Sequence, residues 1–193
     1  TSEVDVSQYN CYYIPRINWT EDPNILSVRL TNRHQNELDL VFVDARDNSS
    51  ELILKDTDPA YVDITDDLTF LNDNSFIWTS EKSGWNHIYH YDRSGKLINQ
   101  VTDGEWEVTN FYGFDPKTAR IYYQSSEDGS INRGVYSISQ TGKNKVKLSE
   151  EEGSNSASFS ADYSYFINTH SDAQTPYSFT LYQAKNGKKL REI

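Results

Sequence analysis

The chain has 193 residues with a formal net charge of −11, and 36% of its residues are hydrophobic. An acidic surface of this kind disfavours nucleic-acid binding, and the longest apolar runs are too short for a membrane span. The single cysteine, Cys11, excludes an internal disulfide and a thiolate metal cluster. Aromatic residues make up 13% of the chain, including 14 tyrosines, which favours β structure.

The sequence contains no methionine, even at position 1, and does not start with a signal-peptide pattern. We therefore expect the chain to be a processed or excised piece of a longer protein.

A motif of about 45 residues recurs along the chain. Its copies are ILSVRLTNRHQNELDLVFVDARDNS (25–49), FIWTSEKSGWNHIYHYDRSGK (76–96), IYYQSSEDGSINRGVYSISQTGK (121–143) and YFINTHSDAQTPYSFTLYQAKNGK (165–188). Each copy reads as an apolar or aromatic strand, a polar loop, an alternating second strand and a turn. The turn residues Asn48, Gly95, Gly142 and Gly187 lie 47, 47 and 45 positions apart.

Segments within the copies alternate as half-buried strands do, for example residues 38–44 and 134–139. The third copy divides into four strands, predicted at Val108–Phe114, Arg120–Ser125, Gly134–Ser139 and Lys145–Leu148. No helical periodicity persists over eleven residues, so the predicted fold is all-β.

Four short strands in a period of about 45 residues are typical of β-propeller blades, whereas a sandwich would not repeat one motif in register. We predict a partial β-propeller of about four blades in a single segment, 1–193, with approximate blades 8–56, 68–101, 106–149 and 155–193. Four blades would form a small complete ring or half of a larger one.

The stretch SEKSGWNHIYHYD (80–92) is the strongest candidate for a metal or catalytic site. His87 and His90 are three apart, however, and on a strand such positions point to opposite faces. They cannot converge on one ion as a helical i, i+4 pair could. We therefore predict that His87 bonds structurally across blade strands and that Trp85 covers the blade edge.

Two other patterns could indicate ligands. The acidic stretches 56–59 and 63–67 could suggest calcium, but they lack the glycine and distal glutamate of a loop site, so we interpret them as solvated turns. TDGEWEV (102–108) could be a sugar-binding platform, but we favour a turn in which Trp106 packs between blades and Glu107 precedes an inner strand. The sequence contains no nucleophile elbow, zinc-helix, P-loop or dinucleotide motif, so no catalytic residue, metal or cofactor is expected.

These motifs resemble the propeller domain of the dipeptidyl peptidase IV family of serine exopeptidases, particularly its bacterial members. The matching segments are WTEDPNILSVRLTNRHQNELDLVFVDA (19–45), AYVDITDDLTFLNDNSFIWTSEKSGWNHIYHYD (60–92), TDGEWEVT (102–109) and SASFSADYSYFINTHS (156–171). The resemblance covers nearly the whole chain.

The resemblance implies an eight-bladed propeller joined to a C-terminal α/β-hydrolase domain, with this chain as the later half of the propeller. Such enzymes remove N-terminal dipeptides with proline or alanine second, although tripeptidyl relatives share the architecture. The Ser-Asp-His triad and the substrate-binding glutamates would lie outside this chain, and the protein would be periplasmic or extracellular. The propeller would cap the active site and gate peptide access.

One implied site falls within this chain. In animal enzymes a segment corresponding to about Tyr61–Ile64 contributes an aromatic side chain and an arginine to the substrate cleft. Tyr61, Val62 and Asp63 are therefore candidates for a cleft wall, although this stretch has no arginine and could be only a blade connection.

Two further functions stay open: a stand-alone protein-binding propeller, or a glycan-binding one that uses Trp85 or Trp106. Unpaired blade flanks would also favour self-association.

Overall fold

The computed structural model describes residues 3–193, and within them every regular element is a β-strand. The first sheet comprises β1 (Tyr13–Trp19), β2 (Ile25–Thr31), β3 (Glu37–Asp44) and β4 (Ser50–Thr57). The second comprises β5 (Thr69–Phe70), β6 (Phe76–Ser80), β7 (His87–Tyr91) and β8 (Leu97–Gln100). The third comprises β9 (Val108–Asp115), β10 (Arg120–Ser125), β11 (Gly134–Ser139) and β12 (Val146–Lys147). The fourth comprises β13 (Ser154–Phe159), β14 (Tyr165–Ser171), β15 (Ser178–Gln183) and β16 (Lys188–Glu192).

Each sheet is an antiparallel meander whose strands lie side by side in chain order. Four such four-stranded sheets confirm the predicted all-β fold, a partial β-propeller. The predicted strands of the third copy agree with β9 to β12 to within one residue at each end. No helix long and apolar enough to cross a membrane occurs among the described residues.

The turns that close the sequence copies have the backbone conformation that their residue types allow. Asn48, Gly95, Gly142 and Gly187 have φ angles of 62°, 79°, 77° and 68°. Glycine and asparagine enter this left-handed region more easily than other residues. The regular spacing of these residues in the sequence therefore corresponds to a repeated structural turn.

The chain forms two compact units, of which the first runs to Gly84 and also includes His90–Ile98. In this first unit Val28 and Leu30 of β2 pack with Val41 and Val43 of β3. A second, aromatic group is centred on Phe76, which stacks on Tyr91 with 5.4 Å between ring centroids. These contacts pack β2 with β3 and β6 with β7.

The second unit comprises Trp85–Tyr89 and Asn99–Ile193 and contains the third and fourth sheets. Tyr122 of β10 stacks on Tyr163 at 5.0 Å and lies 4.7 Å from the ring of Phe159. The backbone also joins the two sheets, because Arg133 N–H donates to Gly153 O at 2.8 Å and Asn155 N–H donates to Arg133 O at 2.9 Å. Aromatic side chains thus fill the space between neighbouring sheets, as in stacked propeller blades.

The expectation of half-buried strands is wrong for the middle strands. In β3 every residue from Leu38 to Val43 is buried, and in β11 the first five residues are buried. Both faces of these strands are covered, so their alternating polar side chains do not reach solvent. Asp39 illustrates the consequence, since it is 6% exposed and its carboxylate lies 3.2 Å from the Lys55 ammonium.

Candidate functional site

The candidate cleft residues lie on an eleven-residue segment, 58–68, that joins β4 to β5 without regular secondary structure. We call this segment the connector. Tyr61 is 46% exposed, Val62 is half-buried and Asp63 is exposed. The connector therefore presents a phenol ring and a carboxylate to solvent from positions two residues apart.

The first half of the connector is held by the turn between β2 and β3. The Val62 N–H donates to Gln35 O at 2.8 Å, and the Tyr61 hydroxyl lies 3.5 Å from Gln35 Oε1. Asp58 caps the same stretch, because its Oδ1 accepts from the Tyr61 N–H at 3.1 Å. Gln35 itself has a φ of 57°, which brings its carbonyl to the connector through a tight turn.

The second half of the connector is held by a buried arginine. Arg29 of β2 is 3% exposed, and its Nη1 donates to the Thr65 carbonyl. Its Nη2 lies 3.4 Å from Asn18 Oδ1, and its guanidinium carbon lies 6.0 Å from the ring centre of Trp78. Burial lowers the pKa of Arg29, while the nearby carboxylate of Asp66 acts in the opposite direction.

Two carboxylates complete this end of the connector. Asp66 pairs with Arg16 at 2.5 Å, and this hydrogen bond lowers the pKa of Asp66. Asp67 accepts a hydrogen bond from the Thr79 hydroxyl at 2.8 Å, and burial raises its pKa. The Thr79 oxygen also lies 3.2 Å from Thr65 Oγ1, so Thr79 contacts the connector at two points.

The predicted structural motif around His87 lies in the second unit. His87 Nε2 is 3.0 Å from Gly104 O, and Nδ1 is 3.1 Å from Thr102 Oγ1. Since a carbonyl only accepts, Nε2 carries a proton and donates to Gly104 O, while Nδ1 is hydrogen-bonded to the Thr102 hydroxyl. Both ring nitrogens of this fully buried histidine are thus used within the protein. His90 has a separate partner, Ser75 Oγ at 2.9 Å.

Trp106 is half-buried and packs against side chains of the same unit. Its ring meets His87 edge-on at 4.9 Å and stacks parallel to Tyr123 at 6.4 Å. Lys145 Nζ lies 5.6 Å from the ring centre. The backbone N–H of the next residue, Glu107, donates to Ser126 Oγ, and the Ser126 N–H donates to Glu107 O. This packing leaves Trp106 poorly disposed as an open sugar platform, whereas Trp85 is 44% exposed.

The acidic stretches are divided among local partners. Asp56 accepts from Trp78 Nε1 at 3.1 Å, and Asp58 caps the backbone of Ala60 and Tyr61. Within residues 3–193, no group of three or more histidine, cysteine or acidic side chains is placed to hold a metal ion. Arg29 carries no sequence signal of its buried position, because an arginine at an alternating strand position is usually solvated.

Comparison with known proteins gives a consistent result. The family described as "Dipeptidyl peptidase IV (DPP IV) N-terminal region" matches residues 1–177. "Probable dipeptidyl peptidase 4" of Aspergillus flavus is 28% identical over 98% of this chain and 26% of its own length. "Dipeptidyl peptidase 4" of Trichophyton rubrum is 31% identical over 85% of this chain and 22% of its own length.

A solved structure shows the same similarity in three dimensions. The crystal structure of Porphyromonas gingivalis dipeptidyl peptidase 4 matches with a TM-score of 0.87 and 40% identity. The match covers 94% of this chain and 26% of that one. The chain therefore spans about a quarter of the length of the proteins it resembles.

Proposed function

The chain belongs to the family of dipeptidyl peptidase IV N-terminal regions, and from this membership we propose that it is the non-catalytic propeller region of a serine exopeptidase. The full-length gene product would remove dipeptides from peptide N-termini, with proline or alanine as the second residue. The observation that carries the proposal is the match, at a TM-score of 0.87, to about a quarter of a dipeptidyl peptidase 4.

The role of the propeller in this proposal is to cap the active site of an α/β-hydrolase domain and to gate access to it. A packed set of four-stranded sheets can exclude folded proteins while leaving a path for a thin peptide terminus. Exclusion of water and orientation of the peptide would then be its contribution to catalysis. The chemical steps would belong to the hydrolase domain.

Tyr61, Val62 and Asp63 form the wall of the substrate cleft in this proposal. Support comes from the exposure of Tyr61 and Asp63 and from the hydrogen bonds that hold the connector backbone at Val62 and Thr65. Where animal relatives carry an arginine, this chain has none between Tyr61 and Thr65, and Asp63 supplies a carboxylate. The wall would therefore be more acidic than in those relatives.

The proposed location is the periplasm or the exterior of a bacterial cell, where N-termini of extracellular peptides are available. Cell fractionation of the source organism, with an antibody to this chain, tests the location. Recovery of the protein only with cytosolic markers would contradict it.

Hydrolysis of a Gly-Pro chromogenic substrate tests the activity. The full-length gene product should release the chromophore, and replacement of the serine in its nucleophile motif should abolish release. This chain alone should give no turnover, and appreciable hydrolysis by the pure chain would contradict the assignment of catalysis to another domain. Mass spectrometry of a peptide digest then separates dipeptide from tripeptide release.

A second assay addresses gating. The same N-terminal sequence is presented either as a free peptide or fused directly to a tightly folded domain without a flexible leader. The full-length enzyme should cleave the free peptide much faster. Equal rates on both substrates would contradict the gating role while leaving the peptidase activity intact.

A further inference from the structure

The connector has no strand or helix of its own, so its shape depends on a few contacts with the first and second sheets. Its first half is tied to the Gln35 carbonyl through the Val62 N–H. Its second half is tied to Arg29 through the Thr65 carbonyl. Tyr61 and Asp63 lie between or beside these two attachment points, and their side chains are exposed.

Arg29 is an unusual residue for its position. Its side chain is 3% exposed in a strand otherwise built from apolar and small residues, and burial of a cation is costly unless it is well paired. The partners here are a main-chain carbonyl, an amide oxygen and an aromatic ring, and the buried Nε has no hydrogen-bond partner. The sheet itself does not need this charge, since the neighbouring pairs of β2 with β3 are formed by the backbone.

The guanidinium of Arg29 is directed at the connector. Its Nη1 donates a hydrogen bond to the Thr65 carbonyl of the connector backbone. The carboxylates that attract it, Asp66 and Asp67, also belong to the connector. A planar guanidinium with several fixed donors is better suited than a lysine to hold a backbone segment at a defined place. Contacts of this kind support a binding surface without touching the ligand.

We propose that Arg29 is a positioning residue that sets the location of Tyr61 and Asp63, and through them the affinity of the enzyme for its peptide substrate. This inference rests on the proposed function, because it takes the connector as a wall of the substrate cleft. Arg29 acts only through the connector backbone and is itself buried away from solvent.

The test uses the full-length gene product and a set of single and double variants. Arg29→Met keeps the length of the side chain but removes its charge and donors, and Arg29→Lys keeps the charge with a simpler donor group. Tyr61→Ala removes the exposed ring that Arg29 is expected to position. Phe166→Leu in the fourth sheet is the matched control, because it loosens an aromatic core remote in sequence from the connector.

The expected result is a split between KM and kcat. Arg29→Met should raise KM for a peptide substrate roughly fivefold to tenfold, the size typical of one lost hydrogen bond, with kcat within about twofold. Arg29→Lys should restore part of the difference, and Phe166→Leu should leave KM unchanged. Arg29 and Tyr61 are proposed to act through the same surface. The combined Arg29→Met/Tyr61→Ala variant should therefore have a KM no higher than that of the single variant with the higher KM.

Two outcomes separate this proposal from the proposed function. If Tyr61→Ala raises KM but Arg29→Met behaves like Phe166→Leu, the positioning role of Arg29 is wrong and the cleft wall stands. If Tyr61→Ala and Asp63→Asn both keep the wild-type KM in an active enzyme, the cleft wall itself is wrong. If Arg29→Met fails to fold, the KM of Arg29→Lys is compared with that of Phe166→Leu in its place. Hydrogen exchange at the Val62 and Thr65 amides of Arg29→Lys gives a second measurement. The exchange should be faster than in the wild type only if Arg29 holds the connector.

Discussion

Thr102 binds His87 through a single hydroxyl that serves two groups at once. Its Oγ1 lies 3.1 Å from His87 Nδ1 and accepts from the Ile88 N–H at 2.9 Å. The backbone amide, the threonine hydroxyl and the imidazole thus form one hydrogen-bonded chain that ends at Gly104 O. Such a chain, fully satisfied and buried, fixes the start of β7 against the turn that precedes Trp106.

Replacement of His87 by alanine should therefore destabilise the protein strongly. The change leaves a cavity and removes the hydrogen bonds of the imidazole to Thr102 Oγ1 and to Gly104 O, and we expect a loss of about 3 kcal/mol in the free energy of unfolding. Urea unfolding followed by fluorescence measures it. The exposed His34→Ala is the control, with an expected change within about 0.5 kcal/mol. Equal effects of the two variants would contradict a structural role for His87.

Two glycines of the first unit allow a comparison of backbone strain with steric conflict. Gly84 and Gly95 both have positive φ angles, 98° and 79°, so alanine is strained at either position. An added Cβ at Gly95 would lie 1.8 Å from Ile53 O, whereas at Gly84 it would meet nothing within 4 Å. Gly95→Ala should therefore cost about 1–3 kcal/mol more than Gly84→Ala in urea unfolding. Equal costs would show that Ile53 moves away freely.

The pH dependence of stability should reveal the burial of Asp67. Because burial raises the pKa of Asp67, the folded state keeps its proton to higher pH than the unfolded chain does. The resulting stabilisation is complete below the unfolded pKa, near 4, and is lost as pH rises through the raised value. Asp67→Asn, which can still accept from Thr79, should be more stable than the wild type at pH 7 and should lose this advantage towards pH 3.

Asp162→Asn provides a control of opposite sign. Hydrogen bonds from Ser164 and Ser160 lower the pKa of Asp162 to about 2. Its contribution is present above the unfolded pKa and is lost as pH falls through about 2, so the asparagine variant should be less stable than the wild type at pH 7. Urea midpoints of both variants between pH 3 and 8 test the pair. For each variant, a difference in stability from the wild type that does not change with pH would contradict the pKa shift assigned to the replaced aspartate.

Exposed apolar side chains on the first and fourth sheets should make the isolated chain self-associate. Ile17 and Trp19 of β1 are 55% and 60% exposed, and Phe179 and Leu190 of the fourth sheet are 47% and 44% exposed. We expect sedimentation velocity to show a concentration-dependent shift to dimers or larger species, which Trp19→Glu or Phe179→Glu should reduce. Ile131→Glu, at an 88% exposed loop position, is the control and should not change it. A strict monomer at high concentration would contradict this prediction.

The fold was predictable because its signals are local. The turn residues Asn48, Gly95, Gly142 and Gly187 mark one backbone conformation at nearly equal intervals, and the strands between them are rich in aromatic and β-branched residues. The alternation of polar and apolar residues could not show that both faces of a strand are buried, as in β3. Burial of the second face depends on packing against other parts of the fold. A period of two predicts a strand but not what lies on each side of it.

The candidate site was only partly predictable, for the same reason. Tyr61, Val62 and Asp63 could be proposed from a resemblance, but their support comes from Gln35 and Arg29, which are distant in sequence. Arg29 and Thr65 are 36 positions apart, and no sequence pattern around either residue predicts their contact. Likewise, histidine is a common metal ligand, and only the distances from His87 to Thr102 and Gly104 show that both of its ring nitrogens are hydrogen-bonded within the protein.

The connector also bears on how such a protein can change over time. Its exposed side chains take part in no strand ladder, and two of its attachments use a main-chain N–H and a main-chain carbonyl, which every amino acid except proline supplies. Mutational drift at positions 61 and 63 can therefore alter surface chemistry while the architecture persists. New preferences could evolve there one residue at a time, with folding left undisturbed.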